Sequence, residues 1–321
     1  MKRIIPPVHK DLIKKELSDD KFLRVTNFGN NYLYSINCHN SPNILREIGR
    51  LREMTFRSSG GGTGKEIDID KYDTAKNPYQ QLIVWDNERE EILGGYRYIL
   101  CVNSMKDENG EYILATKRLF NFSDKFNNEY LPYTIELGRS FIQPNYQSTV
   151  SSKTQLFALD NLWDGLGSLI INHPNVKYFF GKVTMYTDFN QRARDMILYF
   201  LNKQFKDKEN LITPINALGI NTSIKELNNI FVGEDYKEDY KILLQNVRSL
   251  GENIPPLINT YMNLSPTMRF FGTALNDHFG NVEESGIMVT IDDIYENKKE
   301  RHLSIDRIKN AIKRMRYKKQ Q

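Results

Sequence analysis

The chain has 321 residues, of which 40% are hydrophobic, 26% charged and 12% aromatic, with a mean hydropathy of −0.56; disordered, collagen-like and membrane-spanning compositions are excluded. Cys38 and Cys101 are the only cysteines, so there is no disulfide framework and no C-x-x-C zinc pair, and a reducing, cytoplasmic compartment is expected. Of 44 Lys/Arg and 40 Asp/Glu, eight basic residues and one Asp fall within 301–319, which leaves a slightly acidic body without the basic stripe of a nucleic-acid-binding domain.

The opening MKRIIPPVHKDLIKKEL has no apolar run of signal-peptide length. YLYSINC at 32–38 alternates and reads as a strand. Ile44, Ile48, Leu51 and Phe56 recur near helical spacing and predict a helix over 42–57, with Ser41 as N-cap and Pro42 at its first position. After the loop SSGGGTGKEIDIDKYD, segments 81–86 and 91–101 read as a hairpin, and 133–142 as a further strand. A long helix over about 153–172, a strand KYFFGKVTM, a helix over about 189–205, a helical insertion at about 220–260 and a strand at 286–291 complete the order. The expectation is an α/β fold with a mixed sheet flanked by helices, one domain over 1–300 followed by a basic tail at 301–321.

GGGTGKE invites a phosphate-binding reading, but position 59 is Ser where a P-loop has its first glycine, Glu66 stands where it needs Ser or Thr, and the loop follows a helix. A hinge or a lid over a pocket are the remaining readings, and the lid is preferred because clustered glycines ease unusual backbone angles.

Polar residues that a purely structural sheet would not need occur on four segments: Arg52 on the first helix, Asp70 and Asp73 in DIDKYD, Arg97 in GGYRYIL, and Glu136 with Arg139 in ELGRS. On a regular strand Glu136 and Arg139 face opposite sides; Gly138 between them offers a place for a bulge that re-aims one. The alternative is that these groups form structural ion pairs at strand ends.

LREMTFR at 51–57, DKYD at 70–73, GGYR at 94–97 and ELGRS at 136–140 resemble, in order, the charged signature of the acyl-homoserine-lactone synthases, a branch of the GNAT acyltransferase fold. FIQPNYQ, FALDNLWDGLG and KYFFGKVTMYTDFN are similar to the hemolysin-like GNAT N-acyltransferases that make ornithine lipids and N-acyl glycines. The resemblance spans roughly residues 6–205. It implies a GNAT-like, mostly antiparallel twisted sheet, and transfer of a fatty acyl group, 3-hydroxylated or not, from acyl carrier protein to an amino acid's α-amine, with glycine favoured. It implies further that no cofactor is bound permanently and that acyl-phosphopantetheine is the donor. The glycine turn with which acetyl-CoA-using GNATs grip a pyrophosphate is missing from PNYQSTVSSKTQLFALDN. A single phosphate would instead rest on Ser151, Ser152 and Lys153, unless these are an ordinary N-cap with a solvated lysine.

On this reading Glu136 is the base that deprotonates the acceptor. A backbone N–H of segment 138–142 holds the oxyanion beside Ser140, with Phe141 and Ile142 along the donor. Arg97 or Arg139 pairs with the acceptor's carboxylate while the other orients Glu136. Arg52, Asp70 and Asp73 belong to the substrate-binding set, with Asp70 and Asp73 bracing the lid through Arg52 or Arg97. Phe120, Phe122, Phe126, Trp163, Tyr178, Phe179 and Phe180 supply apolar surface for an acyl channel or for the core alone, and the five scattered histidines imply no metal. Residues 303–319 place Ile305, Ile308, Ile312 and Met315 on one helical face among Lys and Arg. This suits an anionic membrane surface at the inner face, an acidic carrier protein, or packing. The rivals to the whole reading are a CoA-dependent acetyltransferase of a small amine and a non-catalytic module that binds the carrier protein.

Overall fold

The computed structural model describes residues 1–147 and 153–302. Ser151, Ser152 and the basic tail 303–319 lie outside the described residues. In chain order the elements are α1 (Lys10–Glu16), β1 (Phe22–Val25), β2 (Tyr32–Ile36), α2 (Pro42–Ser58), β3 (Gln80–Asp86), β4 (Glu91–Leu100), β5 (Phe120–Phe122) and β6 (Thr134–Ile142). There follow α3 (Lys153–Asn172), β7 (Tyr178–Met185), α4 (Gln191–Phe205), β8 (Ile212–Pro214), α5 (Ile224–Ile230), α6 (Tyr236–Ser249), α7 (Pro256–Met262), β9 (Arg269–Asn276), β10 (Val282–Thr290) and α8 (Glu296–His302). The strands and helices expected from periodicity are present, and every strand ladder described is antiparallel.

Three differences have physical causes. α1 and β1 are too short, at seven and four residues, to carry a period. β9 contains Gly272 at φ 87°, where its register with β10 slips, so its alternation is broken. β10 begins four residues before the expected strand because Glu283, Glu284 and Ser285 are each satisfied by distant partners, among them Arg194, Asn276 and Thr273.

The chain divides into two compact units. The first holds Met1–Ala115, Tyr133–Val176 and α8. Its strands lie in the order β1-β2-β3-β4-β6. Gln81 and Leu82 are successive residues of β3 and so face opposite sides. Arg52 of α2 hydrogen-bonds Gln81, whereas Gly165 of α3 lies against Leu82, so the two helices cover opposite faces. A Cβ on Gly165 would come within 2.7 Å of Leu82 Cδ2 and 2.9 Å of Tyr96 Oη, which is why α3 carries glycine where it crosses the sheet.

Ser41 does not cap α2: its buried hydroxyl has no hydrogen-bond partner. Glu16, from the end of α1, does so instead. Its carboxylate accepts from Asn43 N–H at 3.1 Å and Ile44 N–H at 2.9 Å, a negative charge at the positive end of a helix. α8 is fixed to α3: His302 Nδ1 lies 2.9 Å from Asp164 Oδ1, and Arg301 pairs with Asp160. Asp164 also accepts from the Asn27 backbone N–H at 2.7 Å.

The second unit, Thr116–Pro132 with Lys177–Tyr295, orders its strands β7-β10-β9 beside the pair β5-β8, and α5, α6 and α7 form the expected helical insertion. Phe122, Phe126, Phe180 and Phe271 meet edge to face with centroids 4.9 to 5.9 Å apart. The aromatic residues offered for an acyl channel thus include a close-packed core cluster. No helix among the described residues is long and apolar enough to cross a membrane.

Candidate active site

The site is built on β6, where the sequence reads ELGRS. Opposite it on β4, Ile99 faces Glu136 and Arg97 faces Gly138, but Gly95 faces Phe141, so β6 uses one residue more over that span. The surplus falls at Arg139 and Ser140, just beyond Gly138, and Arg139 takes a left-handed φ of 52°. Such a conformation in a residue with a side chain stores on the order of 1–3 kcal/mol and persists only where its surroundings hold it. Its effect is on direction. Arg139 Nε lies 2.8 Å from Asp68 Oδ2 and Nη2 lies 4.0 Å from Asp70 Oδ2. Asp70 is also held by Arg97, which shares the face of Glu136, so the bulge brings Arg139 to that side.

Around Asp70 the four sequence segments converge. Arg97 Nη1 lies 2.8 and 2.9 Å from the two Asp70 oxygens and 3.2 Å from Asp73 Oδ1. Arg52 Nη1 lies 3.3 Å from Asp73 Oδ1, and Gln81 Nε2 donates to the same oxygen at 3.0 Å. Burial pushes the Asp73 carboxyl up, but the charges of Arg97 and Arg52 and the Asp70 N–H outweigh it and hold the group well below the usual carboxylate range. For Arg52 burial prevails and lowers the guanidinium, whereas Asp73 and Asp70 overcome burial at Arg97 and raise it. The Arg52 and Asp73 side chains are 0% exposed, while Arg139 is 13% and Asp70 27% exposed. Asp70 and Arg139 are therefore the rim of the cluster that solvent reaches.

Glu136 is 1% exposed. The Tyr79 hydroxyl donates to Glu136 Oε2 at 2.9 Å and accepts from the Ala115 N–H at 3.0 Å. Burial first, and then the Glu136 charge, push the Tyr79 phenol well above its ordinary value, so it remains a donor. The Tyr79 ring lies under Arg97, with 5.1 Å from guanidinium to centroid. Burial and then Glu136 also push the neighbouring Cys101 thiol well up, away from the thiolate form that a nucleophile uses.

The other expected residues are placed as follows. Ser140 is half-buried within the bulge, Phe141 is buried, Ile142 is half-buried, and Lys153 is the first residue of α3. The glycine-rich loop folds back on its own helix: Glu53 accepts from Thr63 N–H at 3.0 Å and Gly64 N–H at 2.8 Å, with Gly60, Gly62 and Gly64 all at positive φ. The loop amides that could cradle a phosphate are taken up by an internal carboxylate. A cavity of about 610 Å³ opens beside His39, Lys76, Asn77, Gln80, Ile99 and Asn103, and no member of the charged cluster lines it. Among the described residues no group of three His, Cys, Asp or Glu is placed to hold a metal ion.

Sequence reasoning passed over Asp68, Tyr79 and Gln81. Gln81 was open to detection as a polar residue heading the apolar run LIVW of its strand. Tyr79 stands outside any strand and carries no such signal.

A family model for the acetyltransferase (GNAT) domain matches residues 51–156, a span that takes in every charged side chain of the cluster from Arg52 to Arg139. Over 303 residues the chain is 58% identical to a protein of Phocaeicola vulgatus named glycine N(alpha)-acyltransferase, covering 94% of this chain and 93% of that one. It is 59% identical over 303 residues to a protein of the same name from Bacteroides thetaiotaomicron, covering 94% and 90%. The chain belongs to the GNAT family of N-acyltransferases. No solved structure gave a significant match. Within this GNAT acyltransferase the family match ends at the start of α3, whereas the relatives align along nearly the whole chain, including most of the second unit.

Proposed function

We propose that the protein transfers a fatty acyl group from acyl carrier protein to the α-amine of glycine, giving N-acyl glycine and a free carrier thiol. The observation that carries this reading is the 58–59% identity, over 94% of the chain, to two proteins named glycine N(alpha)-acyltransferase. The geometry supports it with a buried carboxylate on a bulged strand beside a partly exposed arginine. Glycine arrives as an ammonium, which is no nucleophile. Glu136 takes one proton from it through an intervening water, and the amine attacks the thioester carbonyl. The tetrahedral intermediate collapses with loss of the thiolate, which receives the second proton from nitrogen. Residues 138–142, with Ser140 in the bulge, supply an oxyanion N–H. Arg139, at the rim, reads the glycine carboxylate, and Asp70 beside it faces the ammonium. Arg97, Arg52 and Asp73 hold that rim in place. Phe141 and Ile142 line the pantetheine arm, and Ser151, Ser152 and Lys153 take its phosphate.

The carrier protein as donor rests on the missing glycine turn before α3, and the reading extends to a cytoplasmic enzyme that meets an anionic membrane through residues 303–319. Purified protein should be given glycine with matched acyl-carrier-protein and acyl-CoA thioesters, with and without a 3-hydroxyl, and the products read by mass spectrometry. N-acyl glycine formed with far higher efficiency from the carrier thioester is the expected result. Equal efficiency with CoA overturns the donor assignment, and acylation of other amino acids in preference to glycine overturns the acceptor.

A further inference from the structure

We infer that Tyr79 is the positioning residue of the acceptor base, holding the buried Glu136 as an oriented carboxylate. The inference rests on the reading of Glu136 as that base. A buried carboxylate favours its neutral form unless hydrogen bonds favour the charged one. Tyr79 supplies such a bond at 2.9 Å, from a phenol that is itself 2% exposed. Its direction is fixed: the Ala115 N–H occupies the phenol oxygen as an acceptor at 3.0 Å, so the hydroxyl hydrogen is left to point at Glu136.

The ring is held as firmly as the hydroxyl. Tyr79 N–H donates to the Tyr72 carbonyl at 2.9 Å, the two rings meet edge to face at 5.7 Å, and the Arg97 guanidinium lies over the Tyr79 ring. Tyr79 therefore joins the Asp70–Arg97–Asp73 cluster to Glu136 through one rigid side chain. The titratable and charged groups near Glu136 include Tyr79 before β3, Cys101 after β4 and, behind Tyr79, Arg97 with the Asp70, Asp73, Arg52 and Arg139 of its cluster. The phenol donates directly to the carboxylate.

The test is the pH dependence of kcat at saturating glycine for Tyr79→Phe against the unmodified enzyme, taken as a ratio so that glycine's own titration cancels. Loss of the donor should move the lower, carboxylate limb upward by about one pH unit, the size expected of a hydrogen bond to a charged acceptor. The ratio should therefore fall as pH falls. Replacing Tyr79 with a fluorotyrosine, a stronger donor of nearly the same shape, should move the limb the other way and keeps the test available if the phenylalanine variant folds poorly. A ratio constant across pH in both variants overturns the inference and leaves Tyr79 a packing residue. Glu136→Gln separates the two readings: if that variant keeps its activity, the base assignment has failed, whereas an inactive Glu136→Gln with unmoved limbs rejects Tyr79 alone.

Discussion

Arg52 Nη1 lies 3.3 Å from Asp73 Oδ1, and both side chains are 0% exposed. Breaking a buried pair by removing one partner strands the other charge, at a typical cost of about 3–5 kcal/mol. Asp73→Asn removes the ion-pair partner of Arg52 while leaving its bond to Gln81, and takes one of two carboxylates from Arg97. Its urea midpoint should fall markedly, with m unchanged, while Asp70→Asn at the solvent-reached rim should lose much less. Equal losses would place the centre of the network elsewhere.

Asp73 also sets a pH dependence. Its folded-state value lies below the ordinary 3.8, so the stability it contributes is fully present above that ordinary value and is lost as pH falls through the depressed one. Unfolding followed by circular dichroism between pH 6 and about pH 2 should show an acid-induced loss that is smaller in Asp73→Asn.

Glu136→Gln deletes a proton acceptor with almost no change in volume. Turnover should drop by about 10²- to 10⁴-fold, the usual range for a general base, with folding and donor binding retained. Product formation by mass spectrometry decides it, and near-normal rates across pH would remove Glu136 from the mechanism.

The cap of α2 gives a pair of opposite expectations. Glu16→Ala removes the carboxylate that accepts from Asn43 and Ile44 and should cost about 1 kcal/mol. Ser41→Ala, which deletes a buried hydroxyl with no partner, should be neutral or slightly stabilising. Thermal melts of the two variants check the order.

Truncation of the basic tail is best made after His302, because Arg301 and His302 are tied to Asp160 and Asp164 of α3. If residues 303–319 serve a membrane, the shortened enzyme keeps turnover on soluble substrates and loses binding to anionic vesicles, at about 1 kcal/mol per basic residue near the surface. If they dock the carrier protein, apparent donor affinity falls instead, most at low salt. Unchanged binding of both, with a lower melting temperature, identifies a packed structural segment.

Periodicity and punctuation in the sequence determined the long elements: α2, α3, α4, the β3–β4 hairpin and β6 all follow from patterns confined to their own residues. The charged motifs also named most of the cluster, since Arg52, Asp70, Asp73, Arg97, Glu136 and Arg139 each interrupt an apolar or regular context. What lay beyond the sequence was which of these groups meet. Glu136 and Arg139 are three residues apart and would diverge on a regular strand; only the left-handed turn at Arg139, held by Asp68 from a distant loop, brings Arg139 to the face of Glu136. The helix cap went to Glu16 rather than Ser41, and Tyr79 proved to be a hydrogen-bond partner of Glu136, for the same reason. A hydrogen bond is selected by the distance and direction of atoms in space, and residues 27 or 57 positions apart acquire those only when the chain has packed.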